Sequence, residues 1–298
     1  MTGGYILQQL VSGLVLGSVY ALIAVGFSMI YGIVRLINFA HGDVLMVGAF
    51  AAFGVLTVLN LPLWAALVAV LAVGAVLAMV IDLVAFRPQR SAPQVNGFIT
   101  SLGVSILLQN LGVLLLTGQP RPFNLPDWLR ANIDVLGARM TVLEAVTVCL
   151  TVVILLALVA LVRGTRMGVA MRAAAENPMA AQLMGIRLNR AIATAFATGG
   201  ALAAIAGVLW AGRAGQIDPL MGLVPGLKAF VAAVIGGVGS LAGAVMGGYV
   251  LGLAEVLFVG LLPPEYGAYR DAFVFGLLIL ILLVLPNGLL GRAAEERA

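Results

Sequence analysis

Residues 163–190 read RGTRMGVAMRAAAENPMAAQLMGIRLNR and lie between two long apolar runs. The stretch carries five arginines, Arg163, Arg166, Arg172, Arg187 and Arg190, against one acid, Glu176. Short, strongly basic loops resist translocation across a bilayer, so this one is expected on the cytoplasmic side. The loop also has internal order. Asn177 before Pro178 has the pattern of an N-cap followed by proline at the first helical position. Gly185 falls where a left-handed residue stops a helix. The alanine- and methionine-rich residues 169–175 suit a first short helix ahead of it. Two short helices would form a rigid cytoplasmic knob. Spacing alone gives equal weight to a plain connecting loop whose amphipathic helix rests on lipid headgroups.

Around this loop the composition leaves few fold classes open. Hydrophobic residues make up 62% of the 298 residues and charged residues 9%. The mean hydropathy is +1.14. Ordinary soluble domains carry roughly 25% charged residues, so the chain reads as an all-α polytopic membrane protein in contact with membrane lipid. The apolar runs are continuous, unlike the short alternating segments of a transmembrane β-barrel. The net charge of +4 calls for no nucleic-acid partner, and 15 of the 16 basic residues are arginines, the other being Lys228. A single cysteine, Cys149, allows no intrachain disulfide. The start MTGGYILQQL lacks the basic region of a cleavable signal, and the first apolar run is expected to be a retained span.

A span needs about 20 apolar residues. Eight runs meet or approach this, at about 6–30, 43–60, 63–86, 97–117, 141–162, 191–212, 241–262 and 270–285. A ninth run, about 225–238, is shorter and is separated from its successor by Gly236, Gly237, Gly239 and Ser240. The expectation is one membrane domain over 1–298, a bundle of 8–9 spans with a broken or re-entrant helix near 225–240. If 225–238 crosses, the amino terminus lies outside and the carboxyl terminus, with Arg292 and Arg297, inside. Ten basic residues then fall inside and six outside. Residues 118–140, with Pro120, Pro122, Pro126 and Trp128, read as an ordered external interfacial segment.

Small residues at Gly13, Gly17 and Ala21, and at Gly243, Gly247, Gly248 and Gly252, have the spacing of helix contact faces. The stretch GIVRLINFAHGD (32–43) is the densest polar cluster at a membrane boundary in the first half of the chain. It suits either a re-entrant turn lining a path or an interfacial turn with His41 at the headgroups, and the residues alone favour the second. Glu255 is costly at membrane depth, at about 2.5–3.5 kcal/mol on insertion scales, and Lys228 and Arg270 are its candidate partners. Asp82 is expected at the interface. Ser101, Ser105, Gln109 and Asn110 place polar groups along one span. No phosphate-loop, nucleophile-turn or HExxH motif occurs, so enzymatic chemistry in the chain itself is not expected.

Four blocks, in order, resemble the branched-chain amino acid ABC transporter permeases of the LivH type: GLVLGSVYALIAVGFSMIYGIVRLINFAHGDVLMVGAF (13–50), MGVAMRAAAENPMAAQLMGI (167–186), LKAFVAAVIGGVGSLAGAVMGGYVLGLAE (227–255) and YRDAFVFGLLILILLVLPNGLLG (269–291). The resemblance implies a bacterial inner-membrane permease with no cofactor of its own. Its implied partners are two cytoplasmic ATPase subunits that bind ATP, an M-type second permease or a second copy, and a periplasmic amino-acid-binding protein. It makes the 163–190 loop an ATPase-coupling element, with Arg172, Ala175, Glu176, Asn177 and Gly185 carrying docking or shape. It gives GIVRLINFAHGD a functional reading, with Asn38, His41, Ser101, Gln109 and Glu255 as candidates for the permeation path. Urea or short amides are alternative substrates within the family, and an ion-coupled secondary transporter or channel is the alternative class.

Overall fold

The structure, a computed structural model, describes residues 3–90, 92–135 and 137–291. Arg292 and Arg297, on which part of the expected inside charge rests, lie outside the described residues. The long helices are α1 (Gly3–Val34), α2 (His41–Phe53, prolonged by a π-helical turn Gly54–Val58), α3 (Leu63–Ile81, prolonged by a second π-helical turn Asp82–Phe86) and α4 (Gln94–Leu116). A cap of β1 (Arg121–Pro122), α5 (Asp127–Arg130), β2 (Asn132–Val135) and β3 (Ala138–Thr141) follows, then α6 (Val142–Gly164). The two short helices α7 (Arg166–Glu176) and α8 (Pro178–Leu183) lead into α9 (Leu188–Ala214) and β4 (Gln216–Ile217). The chain finishes with α10 (Leu223–Gly236), α11 (Leu241–Leu261), a 3₁₀ turn Pro264–Tyr269 and α12 (Arg270–Val284). Eight of these helical stretches are long and apolar enough to cross a membrane, and α10 is a shorter ninth.

Both ends of the bundle are stitched by polar contacts. At one end β1 pairs antiparallel with β4, and β2 with β3, so the proline-rich segment is ordered as the sequence suggests. Gln8 locks α1 to this cap, its Nε2 donating to Arg139 O (2.8 Å) and its Oε1 accepting from Arg139 N (2.9 Å). At the opposite end Arg90 bridges Asp82 (2.5 Å) and Asn189 (2.5 Å). Asp82 is buried against this arginine, in the π-helical turn that packs on α9 at this end of the bundle. Arg35, Arg87, Arg90 and all five arginines of 163–190 belong to this second, arginine-rich end.

The centre is built from α1, α2 and α9, the most buried of the eight long helices. α11 runs antiparallel to α1 along the expected small-residue faces. A Cβ at Gly248 would fall 2.6 Å from the Ala21 Cα, and one at Gly17 would fall 2.9 Å from the Tyr249 Cα. Such an approach brings two backbones into van der Waals contact, the source of helix adhesion where lipid removes the hydrophobic drive. The helices α4, α6 and α12 bury little of their surface and face outward with long runs of leucine, valine and isoleucine.

The ambiguous run 225–238 resolves into α10 and a turn. α10 has 14 residues, about 21 Å at 1.5 Å per residue, too short to span alone. It starts below the capped end, its first turn packed against Gly42 of α2, and ends at the arginine-rich end. There Gly239 meets Gly32, and Gly239 N donates to Ser28 Oγ (2.8 Å). The irregular residues 218–222 join β4 to α10 and complete the passage between the two ends of the bundle, with Pro219 and Gly222 buried and Leu220 exposed. The chain after α12 returns onto this turn, Leu289 N donating to Ile235 O (2.8 Å) and Leu290 N to Gly236 O (2.9 Å). The last described residues therefore sit at the arginine-rich end.

Candidate functional site

Three constellations stand out. The first is the knob. Thr165 Oγ1 accepts from Gly168 N (3.0 Å) to start α7, while donating to Leu161 O (2.7 Å) at the end of α6. Gly168 lies so close to the Leu161 and Val162 carbonyls that no side chain fits there, and this fixes the angle between the two helices. Asn177 caps α8 through its Oδ1, which accepts from Met179 N and Ala180 N (3.1 Å each). Gly185 closes α8 at φ +82°, with Ile186 N donating to Ala181 O (3.0 Å) and Gly185 N to Gln182 O (2.9 Å). These paired bonds define a Schellman stop, which needs a residue tolerant of left-handed backbone. Met171, Ala174 and Ala181 are buried beneath, and α7 packs on α1 and α9.

On the outer face of the knob Arg172 and Glu176 are exposed and Ala175 is half-buried. Beside them stand Met179, Leu183 and Met184, exposed by 75, 84 and 82%. The sequence reading missed these three. Their signal was present, since nothing in the apolar pattern of α8 can bury both Leu183 and Met179 once Ala181 faces inward.

The second constellation is the start of α2. Irregular residues 35–38 and a turn at 39–40 bring the chain back beside α1, through a positive φ of +55° at Arg35. His41 then stacks edge-on against Phe27 (6.3 Å between ring centres) and lies against Gly26. Gly26 is eight residues before the end of α1, about 12 Å along the axis. The favoured interfacial reading is thus corrected: His41 sits inside the bundle, because glycines at 26, 42, 222 and 226 leave room for the chain to re-enter. Asn38 is also buried and makes no capping bond to α2. Asp43 joins the group, its Oδ1 accepting from Gln109 Nε2 (3.0 Å), which also donates to Ser105 Oγ (3.0 Å). Asn38 Oδ1, both His41 ring nitrogens and Asp43 Oδ2 are buried without a hydrogen-bond partner among the described residues. Unpaired buried polar atoms are costly, so four of them in one place mark this segment. Ser101 and Asn110 stay out of the cluster, bonding to Phe98 O (2.8 Å) and Ile106 O (2.7 Å) of their own helix.

The third constellation surrounds Glu255, buried at 1% exposure, and both partners named from the sequence are there. Its Oε1 takes Lys228 Nζ at 2.7 Å and Arg270 Nε at 2.9 Å, and its Oε2 accepts the Tyr20 hydroxyl at 2.9 Å. Lys228 also meets Asp271 at 2.7 Å. Two acids and two bases thus close a charge-balanced network tying α1, α10, α11 and α12 together. Glu255 stands toward the capped end of α11 and bonds to none of Asn38, His41, Ser101 or Gln109, so the five path candidates do not form one hydrogen-bonded site.

Comparison with known proteins gives a consistent picture. Residues 9–282 match the family described as branched-chain amino acid transport system / permease component. The chain is 41% identical to the high-affinity branched-chain amino acid transport system permease protein LivH of Escherichia coli K12, over 98% of both chains. It is 39% identical to the corresponding protein BraD of Pseudomonas aeruginosa, over 98% of this chain and 97% of that one. Among solved structures, PsaBC from Streptococcus pneumoniae, determined in complex with a Fab, shares the fold. Its TM-score is 0.52 at 14% identity, covering 95% of this chain and 92% of the other.

Proposed function

The chain belongs to the branched-chain amino acid transport system permease family, and from that premise we propose that it is the inner-membrane permease subunit of an ATP-driven importer of leucine, isoleucine and valine. The arginine-rich end is assigned to the cytoplasm, as short basic loops require. ATP hydrolysis belongs to two partner ATPase subunits, and substrate arrives at the capped end from a periplasmic binding protein. A second permease, either an M-type chain or another copy, completes the path.

The observation that carries this reading is the knob. Three exposed apolar side chains, Met179, Leu183 and Met184, stand on a helix held rigid at both ends by Asn177 and Gly185. Contiguous exposed apolar groups mark an interaction surface, and methionine adapts to a partner's groove. The partner's cleft takes α8, with Arg172 and Glu176 at the rim. When ATP draws the two ATPase subunits together, the knob moves as one body. α7 passes the motion to α1 and α9, on which it packs, and these carry the walls of the α2 cluster. Access then alternates between the two faces. Asn38, His41 and Asp43, with their unpaired polar atoms, lie on the path, where the polar ends of a passing amino acid replace missing partners.

The test is uptake of labelled substrate by the purified transporter in proteoliposomes with ATP enclosed. Leucine uptake that needs both ATP and the binding protein supports the reading. Uptake of urea or short amides in place of leucine would overturn the substrate assignment. Transport by this chain alone, driven by an ion gradient without ATP, would overturn the class.

A further inference from the structure

At the capped end a cleft of about 560 Å³ opens between α1, α9 and α11. Its polar wall comes from Gln9, Arg213, Glu255 and Arg270, and its apolar wall from Trp210 and Val256. Neither the knob nor the α2 cluster uses this space, and Glu255 and Arg270 of the buried charge network form part of its wall. The charges in it are incompletely matched. Arg213 makes no hydrogen bond or ion pair among the described residues, and Arg270 engages Glu255 and Asp271 through Nε only. The exposed fork of Arg213 is therefore free to meet an anion, beside the Arg270 guanidinium, 46% exposed. A guanidinium fork matches a carboxylate two bonds at a time. Glu255 offers the opposite charge. A carboxylate has about four acceptor positions, and Tyr20, Lys228 and Arg270 take three. The Glu255 side chain is 1% exposed, so the accessible acceptor for an ammonium on this wall is the half-buried Gln9 amide oxygen.

The geometry points to this cleft as a binding site for an aliphatic α-amino acid. The carboxylate lies between Arg213 and Arg270, the ammonium on the Gln9 amide oxygen with the Glu255 charge behind it, and the branched side chain against Trp210 and Val256. The volume is within the range of small-molecule sites, about 300–1,000 Å³, and exceeds one leucine, so the site is a wet receiving stage, not a tight pocket. This assignment rests on the importer reading above. It places the first contact of substrate with the permease at the capped end, ahead of the α2 cluster. Carboxylate recognition by two arginines is shared with phosphate recognition, so a lipid headgroup is the competing source of the anion.

The assembled transporter in nanodiscs, without the binding protein, tests this by saturation-transfer NMR on added leucine. Saturable leucine binding is expected, competed by valine and not by leucinamide, which lacks the carboxylate. Loss of one charge-assisted pair weakens binding by about tenfold to a hundredfold, the expected result for Arg213→Gln. Val256→Trp fills the cleft and should abolish binding while the ATPase subunits still copurify. Leucine binding equal to wild type in both variants would overturn the proposal. So would an anionic lipid retained by the wild type and lost from Arg213→Gln, as read by native mass spectrometry, with leucine binding unaffected. Failure of the importer reading looks different: the wild-type transporter then imports no leucine when supplied with ATP and binding protein.

Discussion

Replacing Glu255 with leucine removes the centre of the four-charge network, and the structure says how much should be lost. Lys228, 1% exposed, keeps only Asp271 at 2.7 Å, whose side chain is 56% exposed and screened by solvent. Arg270 and the buried Tyr20 hydroxyl each lose an acceptor. Breaking a buried ion pair costs about 3–5 kcal/mol, and orphaning a hydroxyl about 1–3 kcal/mol. With Asp271 retaining part of the first term, the expected loss is about 4 kcal/mol. Adding Lys228→Met removes the stranded cation and lets Asp271 settle on Arg270, already 3.9 Å away. The double variant should recover about 2 kcal/mol of the loss, since replacing both members of a buried pair by apolar groups is far less costly than removing one. The assay is SDS-induced unfolding in mixed micelles, with the wild type, both singles and the double compared as a cycle. A double variant no more stable than the sum of its singles would refute the network as a coupled unit. An Glu255→Leu loss under about 1 kcal/mol would refute the burial argument itself.

The α1–α11 seam should not admit a side chain: Gly248→Leu forces Ala21 away and is expected to abolish folded yield in detergent, read by size-exclusion profile. Asn177→Ala should cost about 1 kcal/mol at the start of α8 and speed amide hydrogen exchange in 178–183 while sparing α9. Gly185→Val imposes about 1–2 kcal/mol of left-handed strain, and uptake should fall with little change in the unfolding midpoint of the whole chain. Pairing Met179→Glu with Leu183→Glu should stop the ATPase subunits copurifying while leaving that midpoint unchanged. Retained ATPase subunits in the last variant would return α8 to the lipid headgroups.

How legible each feature was depended on whether its cause is local. The knob was read almost residue by residue, because an Asn-Pro start and a glycine stop act through hydrogen bonds spanning two to five residues. The Glu255 partners were nameable because so few charges exist at that depth. The depth of His41 was not legible. An irregular stretch with one arginine and one asparagine suits a surface turn equally well, and only distant glycines at 26, 222 and 226 open the space it enters. Asp43 went unselected for the same reason, its partner Gln109 being two helices away. The exposure of Met179 and Leu183 followed only once the buried face of α8 was known.

Hydropathy alone was enough to show that the chain crosses a membrane many times, and capping signals located the ends of the short helices α7 and α8. Hydropathy, loop charge and capping are properties of single segments, and the bilayer enforces them one segment at a time. Three-dimensional packing was needed to place the start of α2 inside the bundle, to join α10 with residues 218–222 between the bundle's two ends, and to bring Arg213 and the Glu255-paired Arg270 to one cleft. Each of these depends on which small residues let backbones approach across the bundle. That is a relation between segments far apart in sequence, and no single stretch carries it.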